Sequence, residues 1–338
     1  MTRRVILFLL LVTTLALISW SNLSISEEDF KISGINLVAP PKPIGQTEFI
    51  PLASTNANWL SVIPYGFLRP QESIVTYNYD KQWWGEGVVG ASKTIQIAHE
   101  LGYKVMLKPH IWVIGQGWAG DFEPTSEAHW NTWEDSYREY ILTFAKIADS
   151  MDVALFCIGT EFRKTVVKRP EYWRRLIRQV RSIYKGKITY ASNWDNYENV
   201  TFWDDLDFIG IDAYFPVCTD QTPSKVSVFA GWQSINSNIK DVSQKFDKHV
   251  LFTEYGYRSI DYAADGHWKY NRDTLNVNYD AQINAYTGMF EAVWRQPWFK
   301  GGFLWKWHLQ TPRRKERLLK EFTPQNKPAM DVIRNYYK

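Results

Sequence analysis

The sequence predicts an α/β fold: a (β/α)8 barrel occupying residues 32–338 as a single domain. Three observations point there. Apolar runs rich in β-branched and aromatic residues recur along the chain; amphipathic segments with helical spacing separate several of them; and the runs are continuously apolar rather than alternating, the pattern of a parallel sheet covered on both faces. Eight such runs in about 300 residues favour closure into a barrel over an open sheet. No Gly-x-Gly-x-x-Gly turn follows the first run and no Gly-Lys-Ser/Thr phosphate loop occurs, so the nucleotide-binding devices of open sheets are missing.

In chain order, residues 1–20 are set apart from the fold. Thr2-Arg-Arg4 precedes an apolar run ending at Trp20, which reads as an export signal or N-terminal anchor. A polar tether, 21–31, follows. This predicts a protein that is secreted, periplasmic or tethered on the outer side of a membrane. Strands are predicted at 34–38, 59–63, 104–107, 153–159, 187–191, 208–211, 249–253 and 302–305. The first two connections are less clearly helical, with a long loop around Trp83 and Trp84 before a helix near 91–101. Later helices are marked by Trp133, Tyr137, Ile141, Phe144 and Ala148; by Trp173, Leu176, Ile177 and Val180; and by Trp232, Ile235, Ile239, Val242 and Phe246. A last one, 281–293, is stopped ahead of Pro297.

Composition narrows the function. A net charge of +3 gives no argument for a nucleic-acid partner, and the basic stretch at 313–317 reads as a solvated segment. Cys157 and Cys218 are the only cysteines and are expected to be free thiols. The six histidines are dispersed with none two residues apart, which argues against zinc. Neither a Gly-x-Ser-x-Gly elbow nor a cysteine beside a base is present, so no serine or cysteine nucleophile is expected, and no cofactor. Aromatic residues make up 16% of the chain, with 17 Trp; a core needs few indoles, so many are expected to line a surface for flat or ring-shaped ligands such as sugars.

In a barrel of this kind the ligand site lies at the C-terminal ends of the strands. Glu161 closes one apolar run and Glu254 another. A single strand-end glutamate is commonly just paired or solvated, but two in matching positions among aromatics suggest the carboxylate pair of a glycoside hydrolase. Other strand ends carry Lys108, His110, Asn193, Trp194, Asp212, Tyr214 and Trp305. Period-two alternation puts Cys157, Gly159 and Glu161 on one face, and likewise Val250, Phe252 and Glu254; Gly210, Asp212 and Tyr214; and Phe303, Trp305 and Trp307.

Five motifs, in order, carry a family resemblance: Phe156-Cys-Ile-Gly-Thr-Glu-Phe162, Tyr190-Ala-Ser-Asn-Trp-Asp195, Phe208-Ile-Gly-Ile-Asp-Ala-Tyr-Phe-Pro216, Leu251-Phe-Thr-Glu-Tyr-Gly-Tyr-Arg258 and Gly301-Gly-Phe-Leu-Trp-Lys-Trp307. The chain resembles glycoside hydrolase family 113, β-mannanases and related enzymes within clan A of retaining barrel glycosidases. The resemblance implies that Glu161 is the acid/base, Glu254 the nucleophile, and β-1,4-linked mannan or manno-oligosaccharide the substrate. Thr160 departs from the wider clan, where Asn often precedes the acid/base, which puts the usual contact to the sugar 2-hydroxyl in doubt.

In a retaining mechanism the carboxyls lie about 5–5.5 Å apart. Glu254 is then expected to be ionised, with Tyr214 donating to it, and Glu161 protonated through the nearby negative charge. Trp305 is expected to floor the subsite at the scissile bond, with Trp84 and Trp194 among the candidates for more distant subsites, alongside Trp83, Trp112 and Trp118. Lys108, His110, Asn193 and Asp212 are expected to contact the substrate, and the protein to be a monomer. A β-mannosidase, a β-glucanase, or a carbohydrate-binding barrel without catalysis stays open at this point.

Overall fold

The computed structural model describes residues 31–338 except 267, 270, 272, 273 and 313. The signal or anchor read at 1–20 and nearly all of the tether lie outside the described residues. Eight parallel strands close on themselves: β1 (Ile32–Val38), β2 (Trp59–Val62), β5 (Lys104–Leu107), β7 (Leu155–Thr160), β8 (Lys187–Asn193), β9 (Phe208–Asp212), β10 (Val250–Tyr255) and β11 (Phe299–His308), with β1 paired to both β2 and β11. Every run predicted as a strand is one of these staves. Between β2 and β5 and just after β5, three short strands, β3 (Tyr65–Arg69), β4 (Ile74–Thr76) and β6 (His110–Val113), form a separate sheet in the order β4-β3-β6. The sequence reading gave no strand there.

The predicted helices form: α1 (Val88–Glu100), α2 (Glu127–Ser150), α4 (Pro170–Ile183), α5 (Lys225–Phe246) and α6 (Tyr279–Val293), with a short α3 (Arg163–Lys168) after β7 and α7 (Ala329–Tyr336) near the C-terminus. Side-chain oxygens of Ser126, Ser224 and Asn278 accept the backbone N–H groups that α2, α5 and α6 leave open at their first turns. Among the described residues no α-helix lies between β1 and β2 or between β8 and β9; 3₁₀ segments occupy those connections.

Two cores result. Inside the barrel, Ile32, Met106, Leu155, Cys157, Ala191, Leu251 and Phe303 pack together. Between barrel and helices lies a larger layer dominated by rings, including fully buried Trp133, Trp173, Trp203 and Trp232. This corrects the reading of the tryptophans: helix-borne indoles here span the wide gap between helix axis and sheet, and many of them never reach a surface.

The alternation argument also needs correction. On β10, Leu251 points into the barrel, whereas Phe252 points outward onto Trp232 and Phe299. The ladder shifts register between Phe252 and Glu254, and that bulge, not simple alternation, turns Glu254 inward. On β7, Cys157 is interior but Gly159 faces outward, where a Cβ would stand 2.8 Å from the Trp173 ring; a second register shift follows before Glu161. The buried amide of Asn36 donates to the carbonyls of Thr253 and Phe303, both at 3.1 Å, beside the irregular part of the β10–β11 ladder.

Candidate active site

The strand ends open on a cavity of about 700 Å³ whose lining includes Tyr65, His110, Trp112, Trp118, Glu161, Asn193, Trp194, Tyr214, Glu254, Trp268 and Trp305. The two glutamates, 93 positions apart in the chain, therefore face one space. Glu161 leaves β7 with φ at +54°, in the left-handed region that non-glycine residues rarely occupy, and its N–H is held by the carbonyl of Ala191 at 2.8 Å. Glu254 sits within β10, fixed by the strands on either side.

Their surroundings differ. Glu254 Oε1 accepts from the Lys108 ammonium at 2.5 Å and Oε2 from the Tyr214 hydroxyl at 2.7 Å. Among the described residues Glu161 meets no cation at contact distance; the Trp118 indole N–H donates to its Oε2 at 2.6 Å. Burial, then the negative charges of Asp212 and Glu254, push the Glu161 carboxyl well above the usual carboxylate range, against the smaller opposing effects of Lys108 and Trp118. One carboxyl is thus met by two donors, one of them a cation, while the other is set to hold a proton.

Lys108 and Asp212 do not touch the cavity, which corrects their assignment as sugar contacts. Both are fully buried, and the Lys108 ammonium bridges Asp212 at 3.2 Å and Glu254. Burial works against the Lys108 charge, but the two carboxylates outweigh it and raise its pKa above the ordinary value. Burial and the Glu254 charge raise Asp212 to about 7; Thr253 donates to it at 2.7 Å. These residues brace Glu254 from behind.

Tyr214, His110, Asn193, Trp194 and Trp305 do line the cavity. His110 stacks on Trp305, planes 6° apart, and burial together with Lys108 holds its imidazole well below its usual pKa, so the ring is neutral. His110 Nε2 and Thr160 Oγ1 are buried and have no hydrogen-bond partner among the described residues. Asn193 donates to Asp195 at 2.7 Å, and Trp194 stacks on Trp268 with centroids 5.2 Å apart. Trp84 is a correction: it packs against the core, and its exposed neighbour Trp83 instead lines an adjoining cavity that shares Tyr65, Trp112 and Trp305 with the main one. The sequence reading passed over Tyr65, Arg163 and Trp268. Only Trp268 had a visible signal, an indole in the polar stretch that follows β10.

A profile of glycoside hydrolase family 113 matches residues 42–327. Among solved structures, the β-mannanase AaManA of Alicyclobacillus acidocaldarius, a family 113 protein, is 26% identical over 92% of this chain and 99% of its own, with a TM-score of 0.79. A family 113 β-1,4-mannanase is 25% identical over 91% of this chain and 98% of its own, at 0.76. A β-glucuronidase of Ruminococcus gnavus, 14% identical over 91% of this chain and 50% of its own, shares the fold at 0.61. No curated protein matches the sequence.

Proposed function

The chain belongs to glycoside hydrolase family 113, and from that premise we propose that it is a retaining β-mannanase cleaving β-1,4-mannosidic bonds in mannan or manno-oligosaccharides. The observation that carries the residue assignment is the contrast between two glutamates facing one cavity. Glu254 takes donors from Lys108 and Tyr214, while Glu161 is buried among negative charges. In the first step a Glu254 oxygen bonds to the anomeric carbon as the glycosidic bond breaks, and the Glu161 proton passes to the departing oxygen. In the second, Glu161 takes a proton from water whose oxygen replaces Glu254 at the same carbon. Stacked His110 and Trp305, with Trp112 and Trp194, offer apolar faces to sugar C–H groups and ring N–H groups to hydroxyls.

The mannan assignment is supported by the two family 113 neighbours above, which cover nearly the whole chain. Export across a membrane is supported by the charged and apolar order of residues 2–20. The experiment is reducing-sugar release from mannan, glucomannan, galactomannan and β-glucan, with Glu254→Ala as control. Mannan should be preferred, and the variant should bind mannohexaose without turning it over. A strong preference for β-glucan would overturn the substrate, and full activity in Glu254→Ala would overturn the mechanism.

A further inference from the structure

Trp118 lies on the loop between β6 and α2, far from Glu161 in sequence, yet it is the described residue whose side chain donates to the carboxyl that the mechanism uses as acid and base. Its placement is constructed. The Arg163 guanidinium stands 5.0 Å over the Trp118 ring, pairs with Asp121 on the same loop at 2.6 Å, and pairs with Asp195 beyond β8 at 3.0 Å. Asn193 donates to the other Asp195 oxygen. At Gly120 a Cβ would fall 2.1 Å from the indole, so that position must lack a side chain for the ring to lie where it does. Three strand-end segments therefore converge on the orientation of one N–H.

An indole N–H donates and never accepts. Glu161 Oε2 therefore accepts in both protonation states, and because a carbonyl oxygen accepts better than a hydroxyl oxygen, the bond favours the acid proton on Oε1. We propose that Trp118 is a positioning residue that reserves Glu161 Oε1 for proton transfer, and that the Arg163–Asp121–Asp195 bridge holds the indole in that role. Proton movement balances around that atom: Oε1 gives its proton to the glycosidic oxygen when that bond breaks, and receives one from water when the glycosyl–Glu254 bond is cleaved. The bond from Trp118 persists throughout and strengthens as Glu161 becomes a carboxylate, because a charged acceptor binds a donor more tightly. Together with the Lys108 charge just beyond β5, it offsets part of the burial and of the negative charges that face Glu161, Asp212 from β9 and Glu254 from β10. The hydroxyls of Tyr65, Tyr190 and Tyr214 feel the Glu161 charge in turn.

The inference rests on the glycosidase reading for its kinetics but has one readout that does not. Trp118→Phe keeps a ring under Arg163 and removes the donor. A carbon-13 carboxyl NMR titration of substrate-free protein should show Glu161 titrating about one to two pH units higher in Trp118→Phe. With mannopentaose, kcat/KM should fall roughly 10–100-fold and its alkaline limb should move up in pH. With 2,4-dinitrophenyl β-mannobioside, whose leaving group needs no proton, the loss in kcat/KM should be at least about fivefold smaller than with mannopentaose. Arg163→Leu should reproduce the same split in weaker form, with Trp118 intact. An unmoved Glu161 titration, or equal losses on both substrates, would overturn the proposal. Wild-type protein inert on both substrates would instead overturn the glycosidase reading and leave the titration as the deciding measurement.

Discussion

Replacing Lys108 with Met tests whether the nucleophile is braced from behind. The ammonium lies 2.5 Å from Glu254 Oε1 and 3.2 Å from Asp212 Oδ1, with Lys108 and Asp212 wholly out of water. At an effective dielectric constant of about 20, each contact corresponds to roughly 5–7 kcal/mol of raw attraction. Most of that offsets the cost of desolvating the ions, so the pair is worth little against a hydrophobic isostere. Removing one partner is different, because it strands buried charge and costs about 3–5 kcal/mol. At about 2–4 °C per kcal/mol for a large domain, Lys108→Met should melt roughly 6–20 °C below wild type at pH 7.5.

The gap should narrow at pH 5, where Asp212, already raised to about 7, takes a proton and part of the stranded charge disappears. Turnover should fall at least about 100-fold at pH 7, because Glu254 Oε1 loses the cation that holds it in place. Calorimetry at the two pH values and kcat/KM on mannohexaose read both effects. A melting point within about 1 °C of wild type at both pH values, with kcat/KM retained, would refute the reasoning, since no buried carboxylate would then depend on that ammonium.

Two further predictions concern the reacting pair. Tyr214→Phe removes the 2.7 Å bond to Glu254 Oε2 while keeping the ring near Phe322; a bond to a charged acceptor contributes about 1.5–3 kcal/mol, so kcat/KM should drop roughly 10–100-fold and the melting temperature by roughly 3–12 °C, and wild-type kinetics would count against the bond. Because Glu161 is held above the ordinary carboxylate range, activity that needs its proton should persist past the pH at which a free glutamate ionises and be lost as pH rises through the elevated pKa. In Glu161→Gln, residual activity on the dinitrophenyl substrate should lack that limb, and a limb that survives would belong to another group.

The barrel was legible because its staves are short, continuously apolar and β-branched, a signal that survives without context. The accessory sheet was not. β4 is three residues long, β3 alternates between buried and half-exposed positions, and β6 begins only two residues after β5 ends, so His110 to Val113 read as the tail of the preceding strand. Glu161 and Glu254 were legible as strand-end carboxylates, but the reason given for their shared direction failed at two bulges, which leave no mark in composition. Lys108 and Asp212 were identified as part of the site and misjudged by one layer. A buried charge and a ligand-facing one look alike until burial is known. Trp83 and Trp84 adjoin in sequence and differ in fate only through the 3₁₀ turn that begins at Trp84.

Glu161 adopts a backbone shape that suits glycine or asparagine far better than glutamate. The same residue carries a carboxyl that folding would sooner leave in water. Both penalties fall on one position, and neither is relieved by anything glutamate contributes to packing. A lineage freed from selection for hydrolysis would be expected to drift there first, toward glycine, and to emerge with a sturdier barrel. Persistence of an acid at this site is therefore a signature of use, readable in any descendant from a single codon.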